Sequence, residues 1–578
     1  HIALREQLTE DGVEPAYLLH LWTLHGSPQE TDFTRSQEEG VFSLLALFQA
    51  WEDTKLPLHV VSRQTQGYKT HQPDVHHGTM HGLLLTFSHE SQGLQARHID
   101  VEDTDVPSLT SSILDEWSCS STVYEVVYRE GKRYTPALRA FSPQSSAPQS
   151  LPLLQGDGVL VTGGLGGIGY EVCQELLRRL SVQLLLIGRR QESALDEVQQ
   201  RKLSHLQQLA QEHHGSCVYV AADLTSSEVL SSIVASQEET WGRPLKGIFH
   251  IAALFRSVPL QKEVPEGFRE VYPAKVEGTR SLVSLAKQRE GILFVDFSSI
   301  NSYMGGFSAG AYAAAGRFAE PLLASLSKET GAKVYCLSWT RWKQLGMSLS
   351  LPGNSLTQAK GYLEIPVSQG LSSMWTALAH TPGTWLIGLD RGHPHTRRWL
   401  LEEDVSQETL KAWVTLPKSH KQTFPEEYRD MFGVLYRPDI QELETQQGHQ
   451  KDASVVLSRP TVQVEHTAPR HESEQQIASI WRNLLEVEQV GIDDNFFDLG
   501  GHSLLMARMQ HRLEQVFEKE IPIVELFRFP TIRLLAEYVS GPPGTSTPPK
   551  RKEKREERTQ KQKTHLARAR KAMKKRRK

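Results

Sequence analysis

The stretch that most constrains this chain is Val159–Gly169, which reads Val-Leu-Val-Thr-Gly-Gly-Leu-Gly-Gly-Ile-Gly. A short apolar run ends in Thr162, and five glycines (163, 164, 166, 167 and 169) follow within seven positions. Apolar residues at 172, 173, 176, 177 and 180 then recur at helical spacing. Strand, glycine turn and helix in this order form the setting that a dinucleotide fingerprint requires. Gly164, Gly166 and Gly169 fill G-x-G-x-x-G, allowing a tight turn, close approach of backbone amides to a pyrophosphate, and close helix–strand packing. Gly163, Leu165, Gly167 and Ile168 complete the expected cradle, and the helix N-terminus adds free N–H groups and a positive dipole end. A second strand is predicted at Val182–Gly188. Readers of NAD place an acid about 20 residues after the glycines. Here Arg189 and Arg190 stand at the strand end instead. Two guanidinium groups suit a 2′-phosphate, so NADPH is the expected cofactor. The competing reading is a pair of cations that only solvates a strand end.

A chain of 578 residues predicts about four folding units. Hydrophobic content of 39% and a mean hydropathy of −0.40 leave most of it able to bury a core. No run approaches the ~18 apolar residues of a membrane span, and no secretory signal opens the sequence. Four scattered cysteines (119, 173, 217 and 336) without a CxxC pair predict reduced thiols, hence a cytoplasmic protein. His1 stands inside what reads as a helix, so a longer parent polypeptide is expected. Residues 1–141 read as an α/β unit without a site, with a helix at 41–48 and strands at 58–62, 96–101 and 124–129. His77 and His81 are spaced i, i+4, but no acid adjoins His77 and no third ligand is evident. A hydrated helix face is expected there, and no metal. Ser142–Ser150, with two prolines and four serines, opens a linker over 142–155.

Residues 156–400 hold the chemistry. A strand at 217–222 leads to Asp223 and Leu224, and a strand from Leu245 enters the small-residue turn Ala252–Ala253. Ligands of doubly wound sheets bind outside such strand ends. Lys275, the strand 292–297, Ser298-Ser299 and Tyr312-Ala313-Ala314-Ala315 follow. These motifs, with Ala274–Thr279, Leu337-Ser338-Trp339 and Leu345-Gly346-Met347, resemble the ketoreductase domain of modular polyketide synthases, a relative of the short-chain dehydrogenases. Ser299 lies 13 residues before Tyr312 and Lys275 lies 24 before Ser299, as that family's pattern requires. The resemblance implies a doubly wound Rossmann half packed against a degenerate α/β structural subdomain, residues 1–141. It also implies Tyr312 as proton donor, Ser299 as second donor to the carbonyl oxygen, and Lys275 as the cation that lowers the Tyr312 pKa from its usual ~10. The family carries Asn four residues after the Tyr, where this chain has Gly316. The vacated space would admit a water, and Gly316→Asn is expected to preserve or raise activity. The loop after Ala253 lacks the Leu-Asp-Asp signature of one stereochemical class.

Residues 401–470 read mostly as a linker, with one possible helix at Ser406–Val414. Residues 471–541 resemble an acyl or peptidyl carrier domain, an all-α four-helix bundle, through Asp498-Leu499-Gly500-Gly501-His502-Ser503-Leu504. Apolar positions 477, 480, 481, 484 and 485, then 505, 509, 513 and 517, then 532, 535, 536 and 539, mark three of its helices. Ser503, at the start of a helix, is the implied attachment point for 4′-phosphopantetheine, loaded by a phosphopantetheinyl transferase. A serine that merely caps a helix is the competing reading. From Lys550 the tail carries 16 Lys+Arg against 3 Glu, a net of +13 in a chain whose total is −4. It reads as a disordered basic tail over 542–578 that docks onto a downstream synthase subunit, and its lack of aromatic rings argues against nucleic-acid binding. The resemblance implies upstream ketosynthase and acyltransferase domains and a carrier-tethered β-ketoacyl substrate. Two further classes stay open: a carrier and scaffold module whose reductase is impaired at Gly316, and a free-standing dehydrogenase, which the fused carrier disfavours.

Overall fold

A computed structural model of the chain describes residues 1–24, 33–54, 56–66, 73–91, 95–102, 105–118, 124–140, 150–347, 361–391, 393, 396 and 435–442. Of the C-terminal unit it describes 467–485, 487, 489–496, 499, 509–510, 512–514, 516–517, 519, 521, 526 and 529–540. The chain divides into two compact units, His1–Pro460 and a second that starts at Thr461. Among the described residues no helix is long and apolar enough to cross a membrane.

Among the described residues the first unit has thirteen strands: β1 Leu18–His20, β2 Pro57–Arg63, β3 Gln95–Val101, β4 Glu125–Arg129, β5 Lys132–Ala140, β6 Gly158–Thr162, β7 Gln183–Gly188, β8 Ser216–Ala221, β9 Leu245–His250, β10 Leu293–Ser299, β11 Lys333–Trp339, β12 Gly383–Ile387 and β13 Leu435–Glu442. Their order is β1-β2-β3-β4-β5-β13-β12-β11-β10-β9-β6-β7-β8. From β8 to β12 every pairing is parallel. Helices cover both faces of such a sheet, which is why β6, β7 and β10 read as near-continuous apolar runs. The order reverses between β6 and β9, so the glycine turn after β6 opens at a topological switch point.

In the N-terminal half β1 to β4 are parallel and β4–β5 is a hairpin. Its turn residues Glu130 and Gly131 have φ of 52° and 71°, the left-handed pair that a two-residue hairpin needs. β13 runs antiparallel to both β5 and β12 and joins the halves into one sheet. The reading of 401–470 as a linker is corrected at this strand. Its sequence, Leu-Tyr-Arg-Pro-Asp-Ile-Gln-Glu, is mostly polar and broken by Pro438, so neither an apolar run nor a clean alternation marks a strand there. The helix expected at Ser406–Val414 and the segment Ser142–Gln149 lie outside the described residues.

Helix Gly78–Glu90 packs along helix Gly310–Thr330. A Cβ on Gly82 would fall onto the Ala313 carbonyl, and one on Gly78 would come within 3.3 Å of the Phe318 Cα. One apolar cluster therefore spans both halves, with Phe48, Leu58, Val60, Leu83 and Phe87 from one and Phe268, Ala311, Ala314 and Phe318 from the other. His77 and His81 do not lie on a hydrated face. Both are buried, His77 beside Asp74 at 3.1 Å, and His81 with His98 around the Glu125 carboxylate at 3.4 and 3.3 Å. Period alone could not show that the helix packs on nearly all its sides.

In the second unit, helix Glu472–Leu485 buries Ile477, Ile480, Trp481, Leu484 and Leu485, the expected face. The Trp481 ring meets Phe496 at 4.9 Å, and Arg533 grips Asp493 at 2.7 Å beside helix Ile532–Ser540. Leu513, Ile532 and Leu535 are fully buried.

The helix contact yields a test. Gly82→Ala drives a methyl into backbone, so the variant is expected to lose about 1–3 kcal/mol of stability. Thermal or urea unfolding of the purified chain measures it, and an unchanged transition would show that the two helices separate freely.

Candidate active site

The glycine turn is built for close approach. Gly163 has φ +73°, and a Cβ there would lie 2.8 Å from the Ala252 nitrogen. A Cβ on Gly169 would collide with the Gly163 carbonyl. Gly166 N–H donates to that carbonyl at 2.9 Å, and helix Gly167–Leu180 starts with Gly166 as its cap. Thr162 stitches the β6 and β9 ends together: its hydroxyl bonds His250 Nδ1 at 2.8 Å and accepts from the Ile251 and Ala252 amides at 3.2 Å. Burial and the nearby Lys275 ammonium hold the His250 pKa well below the usual imidazole range, so the ring is neutral. The cradle has no room for side chains and offers amides at a helix start, which fits a pyrophosphate.

Arg189 and Arg190 are exposed at the end of β7. Arg190 reaches Asp196 at 3.8 Å, so part of its charge faces a carboxylate. Asp223 is exposed after β8 and accepts the Thr225 amide at 2.9 Å, while Leu224 turns into the core. Sequence reading missed Lys202. It lies on helix Glu197–Glu212 and donates to the Leu165 and Gly166 carbonyls at 3.2 and 3.1 Å, putting a cation on the glycine turn. No local motif surrounds it, because it reaches the turn across 36 residues of sequence.

Ser299 ends β10 and Tyr312 sits in the first turn of helix Gly310–Thr330. The structure places the Ser299 hydroxyl where it lowers the Tyr312 pKa. Lys275 is buried, and its ammonium is fully spoken for: Asp296 accepts at 2.7 Å, the Phe297 carbonyl at 2.8 Å and the His250 carbonyl at 3.3 Å. The expected lowering of the Tyr312 pKa by Lys275 is therefore corrected. Burial pushes the Tyr312 phenol up to about 12, the Ser299 bond opposes this, and the Asp296 carboxylate adds to it. Asp296, another residue that sequence reading gave no role, is what diverts the lysine. Phe255 from the loop after β9 meets the Tyr312 ring edge-on at 5.1 Å.

The space beside Gly316 is not vacant, so the water expected there has no room. A Cβ on Gly316 would collide with the Ser302 hydroxyl and lie 3.3 Å from that of Ser298. The two hydroxyls bond each other at 3.1 Å. Glycine at 316 and serine at 302 are thus one arrangement.

In the second unit Phe496 N–H donates to the Pro530 carbonyl at 2.8 Å and Asp494 accepts the Gly491 amide at 2.7 Å, shaping the Gly491–Phe496 approach to the Asp498–Leu504 motif. Ser503 and the basic tail lie outside the described residues. Cys173, Cys217 and Cys336 are free thiols.

Residues 158–344 match the KR domain family and residues 475–539 match the phosphopantetheine attachment site family. The chain is 26% identical over 266 residues to polyketide synthase PksM of Bacillus subtilis (strain 168), covering 45% of this chain and 6% of that protein. Bacitracin synthase 3 of Bacillus licheniformis is 48% identical over 75 residues, 13% of this chain and 1% of that one. The chain thus spans a small fraction of these curated relatives. Among solved structures, the adenylation, ketoreductase and pseudo Asub multidomain structure of a keto acid-selecting NRPS module shares 28% identity at a TM-score of 0.65, covering 69% of this chain and 34% of that one. A ketoreductase domain from the bacillaene assembly line shares 20% identity at a TM-score of 0.55, covering 64% and 86%, and shares the fold. The chain combines a Rossmann-like ketoreductase domain with a phosphopantetheine carrier domain, as polyketide and peptide synthases do.

Because Ser302 fills the space, Gly316→Asn is now expected to lower reductase activity and stability, reversing the expectation from sequence. The overpacking cost is about 1–3 kcal/mol. Adding Ser302→Gly should restore much of both. Melting temperature and turnover of the single and double variants measure this, and a fully active Gly316→Asn single variant would show that Ser302 yields easily.

Proposed function

We propose that the ketoreductase domain uses NADPH to reduce the ketone of an acyl chain carried as a thioester on phosphopantetheinyl-Ser503. The observation that carries the reading is the pairing of Ser299, at the end of β10, with Tyr312, in the first turn of its helix, in a sheet whose glycine cradle lies at the switch point. Gly163, Gly164, Gly166 and Gly169 would hold the pyrophosphate, and Arg189, Arg190 and Lys202 the 2′-phosphate. NADPH supplies the hydride when bound. Tyr312, neutral through the physiological range, hands its proton to the oxygen that becomes an alkoxide. Ser299 hydrogen-bonds the same oxygen as its charge develops. Lys275, fixed by Asp296, places a positive charge behind His250 and the strand ends without itself donating the proton.

Two substrate classes fit this reading. A β-ketoacyl chain follows from the polyketide synthase likeness, and an α-ketoacyl chain from the likeness to the keto acid-selecting module. The peptide-synthase likeness of the carrier supports the latter. A carrier and scaffold module with an impaired reductase is the alternative, and the tightly filled Gly316 site is what favours it. Through the carrier, the chain would meet a phosphopantetheinyl transferase and neighbouring synthase domains.

Oxidation of NADPH by the full chain, with α- and β-ketoacyl thioesters offered separately, tests the reading. Turnover is expected with NADPH well above NADH, and Tyr312→Phe is expected to lose about 100-fold or more. Comparable rates for wild type and Tyr312→Phe would remove Tyr312 as donor, and no turnover of either ketone would leave the scaffold reading. The pH–rate profile has a stated sign: an acid that must be protonated loses activity as pH rises through its pKa, so Tyr312 predicts no loss until pH nears about 12.

Loading is a separate test. Intact mass after treatment with a phosphopantetheinyl transferase and coenzyme A should show one added arm, missing in Ser503→Ala. A shift that persists in that variant would place the attachment elsewhere.

A further inference from the structure

Glu90 is the last residue of helix Gly78–Glu90 and belongs to the half that bears no catalytic group. It is only 9% exposed, yet its two oxygens serve two different segments of the other half. Oε2 accepts the Leu260 amide at 2.5 Å, and Oε1 accepts the Ser308 amide at 2.7 Å. Leu260 begins the turn Leu260–Lys262 in the loop that leaves β9, and Ser308 lies two residues before helix Gly310–Thr330. Gln49, from the same N-terminal half, donates to the Leu260 carbonyl at 2.8 Å and the Glu263 carbonyl at 2.7 Å. The turn is therefore gripped at its amide and its carbonyls from across the subdomain boundary. The two gripped segments also hold each other, since Val258 N–H donates to the Ser308 carbonyl at 3.2 Å.

From these segments direct contacts lead to the chemistry. The Leu260 side chain fills the space that a Cβ on Gly310 would need, at the start of the Tyr312 helix. Phe255, in the same loop, stands edge-on to the Tyr312 ring. Ser308 has φ 56°, a left-handed conformation that costs a serine energy and persists only where its surroundings impose it. The Glu90–Ser308 bond is one such constraint. Burial pushes the Glu90 carboxyl up to about 7, the two amide bonds oppose this, and Glu52 and Glu263 add to it. Of the other charged groups nearby, His89 is engaged with the Met304 carbonyl at 2.6 Å, and Arg256 pairs with Glu263 at 3.3 Å and Glu270 at 2.8 Å. Ionised, Glu90 accepts through both oxygens. Protonated, one oxygen turns its own hydrogen toward an N–H and releases that segment.

We propose that Glu90, seconded by Gln49, is a positioning residue of the reduction: by holding Leu260 and Ser308 it sets the ketone-binding mouth against Tyr312. The catalytically silent half thereby acts on KM. This rests on the reductase reading above.

Glu90→Gln in the full chain tests it, because an amide has only one oxygen and would point its NH2 at the second N–H. A charge-assisted bond of this kind predicts that KM for the ketoacyl thioester rises about tenfold, with NADPH affinity unchanged. The rise of KM below pH 7 in wild type should flatten in the variant. Hydrogen exchange of the Leu260 and Ser308 amides should quicken about tenfold. Gln49→Ala, which leaves the carboxylate in place, should quicken exchange across Leu260–Glu263 and guards against misfolding of the first variant. Unchanged exchange and KM in both variants would overturn the proposal while leaving the reductase intact. Faster exchange in a chain whose wild type reduces no ketone would support the grip and sink the reductase reading.

Discussion

Helices Gly78–Glu90 and Gly310–Thr330 touch backbone to backbone at Gly82 and Ala313, and the candidate active site lies next to that contact. Gly82 faces the Ala313 backbone on the other helix, and Gly78 faces the Phe318 Cα and the Pro321 ring. Ala313 is the neighbour of Tyr312, so the turn that carries the phenol is the turn pressed against the N-terminal half. Close packing of this kind is stiff, because every added atom must displace others. Strand β13 continues the same union in the sheet, pairing with β5 on one side and β12 on the other. An element without any catalytic group thus determines where the catalytic helix lies.

Charge buried in this packed body is held either by a counter-charge or, as at Glu90, by backbone amides, and the partner decides what the group can do. Lys275 is held by Asp296 and two carbonyls, Arg129 by Asp100, and Arg317 by Glu320 at 2.6 Å. A buried ammonium left without a partner would be strongly unfavourable, whereas a fully bonded one is stable but no longer free to act elsewhere. Tyr312 is therefore made less acidic by burial, and Ser299 rather than the lysine opposes this. It serves better as a proton donor than as a phenolate. The same close fit explains Gly316, whose missing side chain is replaced by the hydroxyls of Ser302 and Ser298.

Several polar bonds cross the boundary between the halves, and two of the residues that make them reach backbone beside Tyr312. Glu90 and Gln49 reach the loop after β9 and the turn before the Tyr312 helix, and both targets are backbone groups. Bonds to backbone act on the shape of a segment whatever its side chains are, so loop sequence can vary while its placement is kept. Ser308 shows the consequence, a left-handed residue held at the entrance of the catalytic helix.

The sequence alone determined what local chemistry determines. Five glycines after an apolar strand demand a tight turn whatever surrounds them. The family resemblance, rather than spacing by itself, singled out Lys275, Ser299 and Tyr312, whereas the face Ile477–Leu485 followed from helical period. The tertiary structure decided everything that depends on which distant group fills a given space. Lys275 meets a carboxylate 21 residues away, and the hydroxyl that requires glycine at 316 comes from another helix. The Leu260 and Ser308 amides meet a carboxylate 170 and 218 residues distant in the chain. Pro438 concealed a strand that the flanking strands β5 and β12 stabilise. Periodicity and motif report on a residue's own turn or strand, whereas burial, pKa and steric room are set by neighbours that only the folded chain supplies.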